Sequence, residues 1–421
     1  MSRVKIAYVA HYTGGGSASV LQTLVTHLDR ERFEPTVLFH RVKNPSLVEE
    51  LEAAGNEVRV LTASLPMGGD GGVYPLADLR RRTRHNEGLA GVRRLGRSVR
   101  EVVRRDRHWL LPLAQALREL APHIVHCNNG LRRHRLDIWL CHQLGIPTIC
   151  HVQNFETLSA LERLVARGVW RFVYISEAVA REHQRQGVPP ERGVVVPNAV
   201  SLPNEPSPDA IVALRAALGC TSEHFVVAHV GRLVRWKGQD VFLQALARLH
   251  GEIPGLRAWV IGEADANTDS QAFARSLHEM ARSLGIADQA VFTGHRKDAL
   301  DLMASADVVV HSSVKPEPFG LVIIEGMAAG RPVIASSAGA GEEIVENNVT
   351  GLLVPPGDAE ALATAIRTLA RNPELRVCMG EEARRRVAQH FSIERYVTRL
   401  ESLYLEGLKL EPQARRLQLI R

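Results

Sequence analysis

The chain has 421 residues, 45% hydrophobic and 23% charged, with a net charge of +6. That is the composition of a globular protein with room for two ordinary domains, and it excludes a disordered or fibrous chain. The five cysteines (Cys127, Cys141, Cys150, Cys220, Cys378) form neither a Cys-x-x-Cys pair nor an even framework, so they read as reduced core thiols of a cytoplasmic protein.

Val4 to Ala10 predicts a first strand, and its apolar run is too short for a signal peptide. No apolar stretch approaches the length needed to span a bilayer. Gly14-Gly15-Gly16-Ser17-Ala18-Ser19 then leads into a helix expected over Ser19 to Leu28. Glycines there let the backbone approach a phosphate or a sugar closely, although a plain strand-to-helix turn would need them too. Ser19 replaces the third glycine of a dinucleotide fingerprint, and His40 and Arg41, not an acidic residue, close the second strand region. A nicotinamide site is therefore disfavoured.

Further strands are expected at 36–39, 57–61, 123–127, 147–152, 172–175 and 193–196, alternating with helical patterns that include 110–120. Such alternation implies a parallel sheet covered on both faces. Between Arg80 and Arg107 the chain carries a dense run of arginines, including Arg93, Arg94, Arg97, Arg100, Arg104 and Arg105. The run suits a solvated helix face, an anionic acceptor, or a peripheral contact with an anionic membrane at its inner face. Nucleic acid is disfavoured, because Trp109 is the segment's only nearby aromatic residue. His151 ends the strand near 147–152 and is expected to point into a cleft; His126 and His11 carry weaker versions of that reading.

The proline-rich stretch Pro197 to Pro208 reads as a linker, giving a first Rossmann-like domain over 1–200 and a second over 201–385. Strands of the second are expected near 225–230, 257–261, 290–293, 306–311, 333–336 and 351–354, and residues 386–421 form a helical segment that returns toward the first domain. Arg232 and Lys237 lie in the loop after the strand at 225–230, where two cations could hold a diphosphate. Glu317 lies in the loop after the strand at 306–311, and Glu325 sits in the helix that follows. Backbone N–H groups of Phe319, Gly320 and Leu321 at that helix start favour an anionic oxygen, so a glutamate beside them suits a neutral, hydroxyl-rich part of the same ligand. Metal binding is not expected, since there is no Asp-x-Asp and no His or Cys cluster at ligand spacing.

Three blocks together, Gly231 to Asp240, Glu317 to Glu325, and Ile175-Ser176-Glu177-Ala178-Val179 with Val195-Val196-Pro197-Asn198, resemble the retaining glycosyltransferases of family 4. The resemblance implies the GT-B fold, two Rossmann-like domains facing across a cleft. It implies a metal-independent, cofactor-free hexosyl transfer from a nucleotide diphosphate sugar to a glycan, glycolipid or small-molecule hydroxyl. By the same resemblance Glu317 and the amides of Phe319, Gly320 and Leu321 hold the donor sugar and phosphate, and Glu325 the ribose. Arg232 and Lys237 match the diphosphate pair, and His151 the cleft histidine. Gly15 and Gly16 close over the donor, and His295 lies beside the base. A nucleotide-sugar epimerase of GT-B architecture and a non-catalytic sugar-nucleotide-binding protein are the competing readings. The sequence departs from the family pattern at Ala199, Gly326 and the Ala338-Gly339-Ala340-Gly341 stretch, without losing a proposed side-chain ligand.

Overall fold

The computed structural model describes residues 3–13, 15–61 and 110–409. In chain order the first elements are β1 (Val4–Tyr12), α1 (Gly16–His27), β2 (Phe33–Arg41), α2 (Pro45–Ala53), β3 (Glu57–Val60), α3 (110–120), β4 (Ile124–Asn128) and α4 (Leu131–Gln143). They continue with β5 (Thr148–Val152), α5 (Ala160–Val165), β6 (Arg171–Tyr174), α6 (Glu177–Arg185) and β7 (Gly193–Val195). The strands form one sheet in the order β3-β2-β1-β4-β5-β6-β7, with β1 parallel to both of its neighbours.

A second series follows: α7 (Pro208–Ala217), β8 (Phe225–Val230), α8 (Gln239–Arg248), β9 (Leu256–Ile261), α9 (Thr268–Ser283), β10 (Ala290–Gly294), α10 (Ala299–Ser305) and β11 (Val308–His311). After it come α11 (Leu321–Ala328), β12 (Val333–Ser336), α12 (Gly341–Ile344), β13 (Gly351–Val354), α13 (Ala359–Arg371), α14 (Pro373–His390) and α15 (Ile393–Leu408). The second sheet runs β10-β9-β8-β11-β12-β13, and every pairing in it is parallel. Two parallel sheets with helices between their strands is the α/β architecture expected from the alternating pattern.

The hydrophobic pattern explains why these sheets are covered on both sides. In β8, Val227 packs into one apolar cluster while Val226 and Ala228 pack into another, so consecutive side chains serve opposite faces. Helix α13 shows the matching helical spacing. Its Leu362, Ile366 and Leu369 are buried at spacings of four and three residues, and Asp358 caps its start by accepting from the N–H groups of Glu360 and Ala361.

Three expectations shift by a few residues, each for a visible reason. Helix α1 begins at Gly16 instead of Ser19, because Gly15 at φ 82° serves as its N-cap. Strand β11 begins at Val308, because the carboxylate of Asp307 is taken by the Val226 N–H and by Arg215. His151 lies inside β5, not at its end.

Contacts group the described residues of Met1–Cys150, Leu164–Trp170 and from Gly407 onward into one compact unit, and those of His151–Arg163 and Arg171–Glu406 into another. The 197–208 stretch belongs to the second unit, where Val200 bridges Ser392 and the Pro203 carbonyl accepts from Arg384. The arginine run from Arg80 to Arg107 lies outside the described residues. Among those described, no helix is long and apolar enough to cross a membrane.

Candidate functional site

The second sheet reverses its strand order between β8 and β11, which lie side by side with Val310 opposite His229. Loops leaving the carboxyl ends of two such strands diverge, and the crevice between them is where ligands bind in open α/β sheets. Both glutamates and both cations singled out above follow one of these two strands.

After β8 the chain runs through Gly231 and Arg232 into a single 3-10 turn, Arg235–Lys237, and then through Gly238 into α8. Gly238 has φ 71°, and a Cβ there would come within 2.0 Å of the Ser312 carbonyl oxygen. Only glycine lets the two loops touch at this point. The contact is fixed by Ser312 Oγ, which donates to the Gly238 carbonyl at 2.8 Å and lies 3.1 Å from His229 Nε2.

That approach delivers Lys237 to Glu317. Lys237 Nζ donates to Glu317 Oε2 at 2.8 Å, with only 12% and 10% of the two side chains exposed. His311 Nε2 (3.2 Å) and Ser313 Oγ (3.1 Å) donate to the same oxygen. Burial by itself would push the Glu317 carboxyl up, but His311 and Lys237 outweigh it and hold the pKa at about 2. Glu317 is thus a fixed carboxylate whose Oε2 is occupied and whose Oε1 takes part in none of these bonds. Its main chain is held as firmly: the Glu317 carbonyl accepts from Ala340 N–H at 3.0 Å, and Glu317 bridges Gly339. A Cβ on Gly339, at φ 68°, would lie 2.2 Å from that carbonyl oxygen.

Helix α11 starts directly beyond this carboxylate. Gly320, at φ 93°, is its N-cap, and the N–H groups at the start have no carbonyl of the preceding turn to bond. Phe319 is buried, its ring 6.1 Å from that of Phe391 in a T-shaped arrangement. Leu321 opens the helix and Glu325 follows one turn later, partly buried. Burial raises the Glu325 carboxyl to about 7, with Lys237 opposing the shift. Two glutamates eight residues apart are thereby driven in opposite directions, one toward permanent charge and one toward neutrality.

The remaining candidates are placed as follows. Arg232 does not join Lys237 at Glu317; it is exposed and pairs with Asp265 at 2.8 Å. His295 is exposed just after β10, beside Gly294, whose carbonyl accepts from the Gly262 N–H. His151 is buried in β5, and burial lowers its pKa to about 3, so the ring is neutral. Gly15 has open space where a Cβ would go, which leaves the α1 N-terminus approachable, and Gly16 is the first residue of that helix.

Reading the sequence alone missed the clamp around Glu317. His311, Ser312 and Ser313 stand as a polar triplet at the end of the all-valine run of β11, and that abrupt change was the available signal. It also missed Glu343. Backbone N–H groups of Glu177 and Ala178 each donate to its carboxylate at 2.7 Å, while Ser176 Oγ donates to the Pro318 carbonyl at 2.7 Å. The Ser176-Glu177-Ala178 motif is therefore a docking point for the loop at Pro318 and for helix α12.

The sequence profile described as "Glycosyltransferase Family 4" matches residues 45–203, and that described as "Glycosyl transferases group 1" matches residues 213–386. The chain belongs to the group 1, family 4 glycosyltransferases. Among relatives of this family, a D-inositol 3-phosphate glycosyltransferase from Saccharomonospora viridis is 36% identical over 208 residues, covering 48% of this chain and 47% of that protein. The lipopolysaccharide core biosynthesis glycosyltransferase LpsE from Rhizobium meliloti is 31% identical over 198 residues, covering 47% and 54%. The chain spans about half the length of the curated relatives it matches. In structure, Anabaena Alr3699/HepE in complex with UDP superposes with a TM-score of 0.77 at 23% identity, over 96% of this chain and 100% of that one. A glycosyltransferase from Rickettsia africae gives 0.79 at 19%, over 98% and 100%. These likenesses establish the GT-B fold for the chain.

Proposed function

We propose that the protein moves a sugar from a nucleoside diphosphate sugar to an acceptor hydroxyl with retention at the anomeric carbon and without a metal in the reaction. The single observation that carries this reading is the clamped Glu317 carboxylate beside the open start of α11. A carboxylate held near a pKa of about 2 cannot donate a proton at neutral pH. With one oxygen taken by three donors, Oε1 is what remains to accept from a sugar hydroxyl. The helix amides beside it receive the phosphate, and Glu325, one turn on, accepts from the ribose hydroxyls.

Leaving-group stabilisation then drives the step. As the glycosidic bond breaks, negative charge grows on the diphosphate, and Lys237, Arg232 and the α11 amides stabilise it more than they stabilise the ground state. Arg232 must leave Asp265 to do so, a rearrangement its exposure allows. The departing phosphate oxygen takes the acceptor's proton on the face it has vacated, which accounts for retention without a covalent intermediate. His151, neutral and buried, would contact the sugar as a hydrogen-bonding group, and His295 would stand next to the base.

Relatives act on an inositol phosphate and in lipopolysaccharide core assembly by name, and HepE has been crystallised with UDP and UDP-glucose. A uridine nucleotide donor and a polyol, glycan or glycolipid acceptor are accordingly the first to try. Anionic liposome flotation at low and physiological salt tests whether the Arg80 to Arg107 run brings the protein to a membrane face. For the reaction itself, UDP-glucose is incubated with candidate acceptors in the presence of EDTA, and the product's anomeric configuration is read by NMR. An α-linked product supports the reading; a β-linked product, or activity abolished by EDTA, contradicts it.

A further inference from the structure

In the first unit, away from Glu317, three histidines converge on one aspartate. His40 Nε2 lies 3.1 Å, His11 Nε2 3.5 Å and His134 Nδ1 2.8 Å from the same oxygen, Asp137 Oδ2. They come from three elements: His11 from the end of β1, His40 from the end of β2, and His134 with Asp137 from the first turns of α4. His40, His134 and Asp137 are buried, while His11 keeps 25% of its side chain exposed.

The hydrogen bonds around His134 decide what the cluster is for. Its Nε2 lies 2.6 Å from the Asn128 carbonyl oxygen, which can only accept, so Nε2 carries the hydrogen. Its other nitrogen, Nδ1, faces the Asp137 carboxylate 2.8 Å away, at the point where His40 and His11 also converge. A histidine that donates its far N–H to a backbone carbonyl and aims its near nitrogen at a carboxylate-lined point is arranged as a metal ligand is. The carbonyl itself is held in place: Asn128 Nδ2 donates to the Ser17 carbonyl, and the next residue, Asn129, sits at φ 92°, an uncommon conformation for a residue other than glycine.

We propose that His11, His40, His134 and Asp137 form a binding site for one divalent transition-metal ion of the zinc class. The nitrogen and oxygen donors His11 Nε2, His40 Nε2 and Asp137 Oδ2 all lie within 4.8 Å of one another. Tetrahedral zinc with bonds of about 2.0–2.1 Å needs ligand separations of roughly 3.3 Å; the distances from Asp137 Oδ2 to His40 (3.1 Å) and His11 (3.5 Å) are of that size, and His134, outside that close trio, would complete the set by a movement of its ring. Three imidazoles and one carboxylate, largely shielded from water, suit zinc over calcium or magnesium, which prefer oxygen ligands. The ion would have no part in the transfer chemistry. It would tie the ends of β1 and β2 to α4 next to the glycine loop, where Thr13 Oγ1 already accepts from the Lys43 and Asn44 N–H groups.

The separation of these ligands in sequence, from residue 11 to residue 137, explains why no motif announced them. The test uses the full-length protein, stripped with EDTA and titrated with cobalt(II), with zinc competition as a second arm. The expected result is one equivalent of cobalt giving the visible absorption of a four-coordinate site, displaced by zinc, with a melting temperature above that of the stripped protein. His11→Ala, at the partly exposed ligand and therefore compatible with folding, should weaken cobalt binding at least tenfold with an unchanged circular dichroism spectrum. His134→Gln should abolish the absorption band. No band and no change in melting temperature for the unmutated protein would overturn the proposal. Binding that persists undiminished in both variants would overturn it as well, placing the metal elsewhere.

Discussion

Replacing Glu325 with glutamine should make the ligand-free protein more stable at pH 8 while weakening its hold on the nucleotide. Burial lifts the Glu325 carboxyl from its ordinary value of 4.5 to about 7. The folded state therefore binds a proton that the unfolded state has lost between those two values, and stability falls as pH rises through the window. A tenfold change in proton affinity is worth about 1.4 kcal/mol, so the full penalty above pH 7 is at most roughly 3 kcal/mol. Partial exposure of Glu325 brings the expected gain for Glu325→Gln to about 1–3 kcal/mol, since water screens part of the cost. In a unit of this size each kcal/mol moves the melting temperature by about 2–4 °C. Thermal melts of both proteins at pH 5 and pH 8 measure it. The variant should melt several degrees higher at pH 8, with the difference mostly gone at pH 5. Equal or lower stability of Glu325→Gln at pH 8 would refute the reasoning, because Glu325 would then carry no burial penalty for a ligand to relieve.

Further outcomes follow from the same geometry. Nucleotide affinity of the unmutated protein should fall as pH drops below about 7, where Glu325 takes up its proton, and the fall should be absent in Glu325→Gln; calorimetric titration across a pH range of about 5.5–8.5 decides this. Lys237→Met leaves a buried carboxylate with only His311 and Ser313, and should destabilise the protein by about 2–4 kcal/mol in urea titrations and lower turnover by more than tenfold. Glu317→Gln forfeits a stabilisation that is complete above the ordinary carboxyl value of 4.5 and disappears as pH falls toward about 2, so its deficit of up to roughly 3 kcal/mol should be present at pH 7 and shrink in acid. Gly339→Ala should cost at least about 2 kcal/mol and reduce turnover, because its Cβ would collide with the Glu317 carbonyl in a left-handed backbone conformation.

The architecture was largely legible in the sequence because parallel strands buried on both faces are short β-branched runs, and Val308-Val309-Val310 or Val333-Ile334-Ala335 can be little else. The positions of Lys237, Glu317, Glu325 and the Phe319-Gly320-Leu321 turn beyond β8 and β11 were legible because the same runs locate the strand ends. What the sequence withheld was partnership. Nothing in the spacing of residues 237 and 317 says that Lys237 reaches Glu317; that depends on Gly238 closing to contact with Ser312. Pairing Arg232 with Lys237 was natural from a shared loop, yet the side chains part, Arg232 to Asp265 at the surface and Lys237 inward. The histidine cluster around Asp137 was hidden for the same reason, since a parallel sheet brings together strand ends that lie far apart in sequence.

Isothermal titration of UDP and other nucleoside diphosphates, followed by turnover assays, into the unmutated protein, Glu325→Ala and Glu317→Gln tests the central claim most directly. The account predicts that a nucleotide binds the unmutated protein, that Glu325→Ala weakens this binding at least tenfold, and that Glu317→Gln retains most of it while losing turnover. Failure of every nucleotide to bind, or equal loss of affinity in both variants with turnover unchanged, would contradict it.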